Sequence, residues 1–159
     1  MKLSGRVILV GLAAVFLLGL SRCGHPVLTD QVFSTGEIAW PADQPAGFRY
    51  EVEDTVSRYN VFIWFRHSVD YPFSNLYLFS DTHYPGGEVQ RDTLQFILAR
   101  KDGRWLGSGY GSFKSIEYPV AFDRQFPHKG SYEIVLWQAM RLDPLPGVRD
   151  VGLRIERAE

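Results

Sequence analysis

Phe48-Arg49-Tyr50-Glu51-Val52-Glu53 is the stretch that decides the fold, because its side chains alternate strictly between apolar and polar. Successive side chains of a β-strand point to opposite faces, so the three apolar residues are predicted to share one buried face. The same period recurs in Leu94-Phe96-Leu98 and in Val151-Leu153-Ile155. These stretches therefore predict half-buried strands.

Two further segments are apolar on both faces. They are Tyr59–Phe65 and Tyr132–Met140, and this composition is typical of central strands that are covered from two sides. We predict that they form the middle of the fold. Trp64 and Trp137, which they contain, are then predicted to lie in the core.

Turn signals separate the predicted strands. Gly86-Gly87 and Asp102-Gly103 favour two-residue hairpins, and the longer corners are Pro72–Asn75, Pro127–Gly130 and Pro144–Gly147. About eight strands result, at a spacing of roughly 10 to 15 residues. The prediction is an all-β fold, an antiparallel β-sandwich or jelly roll, with little helix outside the N-terminal segment.

Residues 1–22 have the layout of a signal peptide. Lys2 and Arg6 precede the apolar run Val7–Leu20, and the run has a typical length for the apolar core of such a signal. As a helix it would extend only about 21 Å, whereas a bilayer core is about 30 Å thick. A permanent membrane span is therefore the weaker interpretation.

Cys23 is the only cysteine in the chain, and it directly follows this segment. Leu20, Ser21 and Cys23 fit the signature of a bacterial lipoprotein, in which the cysteine is acylated. Arg22 departs from it, because a bulky cation fits a small-residue pocket poorly. The alternatives are an uncleaved signal anchor, or ordinary cleavage that leaves a free thiol.

The predicted domain organisation follows from this processing. Residues 23–30 are a short tether and residues 31–159 a single β-sandwich domain; the 137 residues from Cys23 onward are enough for one core. Three of the 17 basic residues lie in the signal peptide and all 18 acidic residues follow it, so the mature net charge is about −4. This charge argues against a nucleic-acid partner.

Catalytic, cofactor-binding and metal-binding residues are not indicated by any motif. The glycine-rich run Gly107–Ser112 is a strand junction with close backbone approach rather than a phosphate loop. The histidines are too dispersed for a local metal pair and are predicted at the surface or in turns: His25, His67, His83 and His128. A pair of glycosidase carboxylates could come from any strands, but the candidates read as solvated strand edges and turns: Asp81, Glu88, Asp92 and Asp123.

Aromatic residues offer a different kind of site. Exposed tryptophans could stack on sugar rings, and the candidates are Trp40, Trp64, Trp105 and Trp137. Trp105 lies beside a hairpin turn, and for this tryptophan a place in the core and an exposed position that stacks on sugar rings are equally supported. Arg66 and Arg141 end the two central strands, either as solvated strand ends or as a pair on one edge.

The order of several short motifs resembles that of a known family. The motifs are Tyr59–Val61 with Arg66 and His67, Tyr71-Pro72, Asn75–Leu78, Asp102–Trp105 with Gly107 and Gly109, Gly130–Tyr132, Gln138–Arg141, Leu145–Val148 and Asp150–Leu153. In these positions, across nearly the whole mature chain, the protein resembles the GldH gliding-motility lipoproteins of Bacteroidetes-type bacteria.

The resemblance implies a non-enzymatic, lipid-anchored envelope protein, a subunit or accessory factor of a motility and secretion assembly, without cofactors. It implies that Cys23 carries the acyl chains, palmitate among them, and that the partners are the membrane and envelope proteins. The periplasmic side of the outer membrane is the favoured location. The alternative is a lipid-anchored module that binds glycans through exposed aromatic residues.

Overall fold

Strands joined by turns make up the part of the chain that the structure describes. The structure is a computed structural model that describes residues 26–36 and 39–159. Its strands are β1 Val27–Ser34, β2 Ala39–Trp40, β3 Ala46–Val52, β4 Tyr59–Ser68, β5 Asn75–His83, β6 Val89–Ile97, β7 Phe113–Arg124, β8 Gly130–Gln138, β9 Leu145–Pro146 and β10 Val148–Arg157. Within these residues, no helix has the length and apolar character needed to cross a bilayer.

The longer strands form two antiparallel sheets that face each other. The first sheet has the order β1-β10-β4-β7 and the second β3-β8-β5-β6, while β2 and β9 form a short separate pair. Numbered in chain order, the eight long strands read 1-8-3-6 and 2-7-4-5, which is the wrapped order of a jelly roll. The predicted all-β antiparallel sandwich is confirmed.

The core lies between the two sheets, where the alternating stretches place it. Phe48, Tyr50 and Val52 of β3 are buried, and so are Leu153 and Ile155 of β10. Each fully buried side chain of this size stabilises the fold by about 1.5–3 kcal/mol. The predicted buried faces are therefore confirmed.

The two doubly apolar segments are interior strands, as predicted, but they are not covered from both sides. Alternate residues of β4 and β8 face outward and are only half-buried, and Trp64 and Trp137 are among them. Their predicted place in the core was wrong, because a large apolar residue can also lie on the outer face of a sheet. Trp40, in contrast, is completely buried.

Both predicted hairpin turns are three-residue loops. In the first, the Tyr84 amide donates to Glu88 O at 2.9 Å and Gly87 adopts φ +86°. In the second, Arg100 and Arg104 close the loop at 2.8 Å and Gly103 adopts φ +83°. In three-residue hairpin loops, a type I turn is followed by a residue in the left-handed conformation, which glycine adopts easily. Each of these glycines occupies that position, so the loops have three residues instead of the two that were predicted.

The sandwich has two distinct ends. β1 begins at Val27, opposite Glu156, so residues 27–30 of the predicted tether are paired in the first sheet. We call the end of the sandwich at which β1 begins the anchor end. It also holds loops 53–58, 84–88 and 125–129. The far end holds loops 69–74, 98–112 and 139–144. The predicted signal peptide, 1–22, and Cys23 lie outside the described residues.

Candidate functional site

A cluster of large side chains, exposed or half-buried, lies on the outer side of the second sheet. It comprises Tyr77 and Phe79 of β5, Arg91 and Ile97 of β6, and Trp137 of β8, and we call it the aromatic face. Phe79 pairs directly with Trp137 across the strands, and 41% of its surface is exposed. Register therefore brings together side chains that are distant in sequence.

Asp81 fixes the orientation of this cluster. Its carboxylate accepts two hydrogen bonds of 2.6 Å from Arg91 and one of 3.1 Å from Trp137 Nε1. The guanidinium of Arg91 lies 6.0 Å from the centre of the Phe79 ring. The hydrogen bonds from Arg91 lower the pKa of Asp81, so the carboxylate stays ionised and holds the indole in place before any partner binds.

A groove continues the aromatic face at the far end. It has a volume of about 350 Å³ and is lined by Phe73, Asn75, Tyr77, Ala139, Met140 and Arg141. Tyr77 belongs to both features, and its amide contacts Met140 Sδ at 3.3 Å. Aromatic residues, methionine and arginine are the residues enriched at protein interfaces.

An ion pair borders the aromatic face on its other side. Arg49 of β3 lies 3.3 Å from Glu133 of β8, on the same outer surface. An apolar centre with a polar rim is the usual anatomy of a protein interface. The arrangement suits binding of a protein surface.

The four candidate carboxylates occupy different surroundings. Asp81 serves the aromatic face, Glu88 is exposed in a hairpin loop, and Asp92 accepts a hydrogen bond of 3.0 Å from Gln90. Asp123 is exposed, and its own backbone adopts φ +49°. Each of the four carboxylates therefore has its own local environment.

His67 is buried, contrary to the prediction of a surface or turn histidine. Its Nδ1 lies 2.9 Å from Ser68 O, and its ring centre lies 4.6 Å from that of Trp105 and 5.8 Å from that of Tyr71. Nε2 is buried without a hydrogen-bond partner. Nδ1 therefore donates to the carbonyl, and the ring is part of the far-end packing, as is Trp105.

Burial of His67 makes stability depend on pH. Desolvation lowers the pKa of His67 below its ordinary 6.5, so the unfolded chain binds more protons, and the free energy of unfolding falls as pH drops below about 6.5. Urea denaturation at pH 7 and pH 5 is expected to show this loss, at most about 1.4 kcal/mol per pH unit. His67→Gln should flatten the profile and the exposed-site control His128→Gln should not; equal slopes for the two variants would contradict the assignment.

The other described histidines, His83 and His128, are less buried than His67. His83 is half-buried and His128 exposed, while His25 lies outside the described residues. Among residues 26–36 and 39–159, no three metal-ligating side chains come together.

The glycine-rich run makes the predicted close backbone approach. A Cβ on Gly107 would lie 2.7 Å from Ser115 O, so the loop can pair closely with β7 only with glycine there.

Arg66 and Arg141, which end the two predicted central strands, were candidates for a pair on one edge. Arg66 lies 3.9 Å from Asp150, whereas Arg141 lines the groove beside the aromatic face. The two arginines thus have separate surroundings rather than forming one paired feature.

Comparison with known proteins shows the family. The model of the GldH lipoprotein family matches residues 28–155. The chain is 32% identical over 146 residues to the gliding motility lipoprotein GldH homolog of Christiangramia forsetii, covering 87% of this chain and 89% of that protein. It is 33% identical over 155 residues to gliding motility lipoprotein GldH of Flavobacterium johnsoniae, covering 93% and 94%.

Solved structures are only distantly similar. An uncharacterized protein from Listeria monocytogenes gives a TM-score of 0.34 at 12% identity, over 83% of this chain and 11% of that one. The CBM35 from Cellvibrio japonicus Abf62 gives 0.30 at 9% identity, over 82% and 99%. No functional conclusion follows from values this low, whereas the family match and the two relatives agree over most of the chain: the protein belongs to the GldH lipoprotein family.

Proposed function

We propose that this lipoprotein is a non-enzymatic subunit or accessory factor of an envelope assembly for gliding motility and its associated secretion, and that it binds a protein partner through the aromatic face. Membership of the GldH lipoprotein family supports the assembly. The observation that carries the binding mode is the preorganised cluster of Phe79, Arg91 and Trp137 around Asp81.

The anchor in this proposal is Cys23, which carries the acyl chains and becomes the first residue when residues 1–22 are removed, in the periplasmic leaflet of the outer membrane. Only three residues lie between Cys23 and Val27, where β1 begins, so the four Cα-to-Cα steps from Cys23 to Val27 reach at most about 14 Å. The anchor end then lies at the membrane. The ten residues of β4 place the far end, with its groove, about 33 Å farther out.

The composition of the aromatic face is that of a binding hot spot. Tryptophan, tyrosine and arginine dominate the residues whose loss costs most binding energy. A side chain that is already oriented loses less entropy on binding, and Asp81 supplies that orientation through its bonds to Trp137 and Arg91. The face is therefore built to contribute affinity.

Removing the two outward-facing rings, Phe79 and Trp137, tests this function. The double variant Phe79→Ala with Trp137→Ala is expected to reduce co-purification of the envelope partner after mild crosslinking by at least about tenfold, because hot-spot side chains contribute 2 kcal/mol or more. The matched control is Phe122→Ala, a phenylalanine of the first sheet that is 66% exposed.

Quantitative immunoblotting of the membrane fraction must show equal amounts of each variant. Undiminished co-purification with the double variant, or an equal loss with the control, would exclude the aromatic face as the binding surface.

A further inference from the structure

A second groove lies on the outer side of the first sheet, away from the aromatic face. It has a volume of about 400 Å³ and is lined by Trp64, Ser108, Ser115, Ile116 and Glu117. Its size is within the range of small-ligand sites. One aromatic ring shares it with two hydroxyls and a carboxylate, so the lining combines apolar and polar groups. The side chain of Ile116, which pairs with the buried Phe65, packs against the core.

Trp64 lies directly on the backbone of Gly152, its cross-strand neighbour. A Cβ on that glycine would come within 2.0 Å of two indole atoms, Nε1 and Cε2, and 2.5 Å of Cζ2. The absence of a side chain on Gly152 therefore creates the seat for the ring. The indole is held against the sheet on one side and remains half-exposed, as a stacking platform requires.

Polar groups are positioned beside this platform. Glu117, which pairs with Trp64 across the strands, accepts a hydrogen bond of 2.9 Å from Arg154. Arg154 in turn lies 5.0 Å from the centre of the Phe62 ring. The carboxylate is thus fixed in place and retains a second oxygen for another donor.

Two hydroxyls complete the lining. The backbones of Ser108 and Ser115 are joined by hydrogen bonds of 3.0 and 2.7 Å, which set the positions of both residues. Within residues 26–36 and 39–159, neither hydroxyl has a hydrogen-bond partner of its own. Both are therefore free to donate to a ligand and accept from it.

We propose that this groove binds a neutral, β-1,4-linked saccharide of gluco configuration, with one pyranose ring stacked on Trp64. In this configuration the ring hydroxyls are equatorial and the ring C–H bonds axial, so each face of the sugar is apolar and its edge is polar. The indole complements the face. Glu117 and the serine hydroxyls complement the edge, which an entirely apolar groove could not do.

Calorimetric titration of the full-length lipoprotein tests the site. The protein is kept in lauryldimethylamine oxide, a detergent without a sugar headgroup, and the probes are cellotetraose and chitotetraose. Both are expected to bind with a Kd between about 10 μM and 1 mM. β-1,4-Mannotetraose, whose axial hydroxyl interrupts one ring face, should bind at least about fivefold more weakly.

Two variants separate the platform from general effects on the fold. Trp64→Ala should weaken binding at least about tenfold, and Gly152→Ala should do the same, because the added Cβ displaces the indole. Trp137→Ala, on the other sheet, should leave saccharide binding unchanged. No binding of either probe up to about 5 mM, or equal affinity in the Trp64 and Trp137 variants, would overturn the proposal without affecting the proposed protein interface.

Discussion

Replacing Cys23 by serine is expected to abolish palmitate labelling completely and to accumulate a precursor that retains residues 1–22. The reason is that serine removes the thiol to which the acyl chains are attached, and the lipoprotein signal peptidase cleaves only a protein that carries acyl chains. The sequence offers one thiol to which they can be attached. Metabolic labelling with radioactive palmitate, followed by electrophoresis, measures both outcomes.

Ser21→Ala is the matched control, since it changes a residue of the same signature but leaves the thiol. It should retain the label. An inhibitor of the lipoprotein signal peptidase should cause the wild-type chain to accumulate a precursor that also retains residues 1–22 but carries the label. Continued labelling of the Cys23→Ser variant would refute Cys23 as the site of lipidation. No precursor with the inhibitor would favour ordinary cleavage or a signal anchor.

Trp40→Ala is expected to cost about 3–5 kcal/mol in the free energy of unfolding, the usual range for a buried aromatic side chain. Trp40 is completely buried and packs on Phe33, with ring centres 6.4 Å apart. Its Nε1 donates a hydrogen bond of 2.7 Å to Gln44 O. The substitution leaves a cavity and also an unpaired carbonyl; equilibrium urea denaturation measures the sum.

Trp137→Ala provides the comparison on an outer face. It loses the hydrogen bond to Asp81 but opens no internal cavity, so the expected cost is about 1–2 kcal/mol. If the two variants lose the same stability, the assignment of one tryptophan to the core and the other to the surface is wrong.

Period-two patterning predicts the buried faces well, because it depends only on neighbouring residues. Phe48, Tyr50 and Val52 are buried for that reason. The exposed side of β4 was also detectable: Trp64 has the same parity as Asn60 and Arg66, and these polar residues mark a solvent-facing row. Total hydrophobicity concealed that signal and led to the wrong assignment of Trp64 to the core.

The aromatic face, in contrast, depends on long-range register. Asp81 lies ten residues from Arg91 and 56 residues from Trp137, and only the order of β6, β5 and β8 brings the three together. Local propensities do not determine that order. His67 has the same parity as the buried Ile63 and Phe65, so the alternation itself indicates an inward side chain. Its contacts with Tyr71 and Trp105, in contrast, depend on the loops of the far end.

The most direct test of the proposed function is site-specific photocrosslinking in living cells. A benzophenone amino acid placed at Phe79 is expected to form an ultraviolet-dependent adduct with an envelope protein, whereas the same group at Phe122 is not. An adduct that forms from Phe122 but not from Phe79 would contradict binding through the aromatic face.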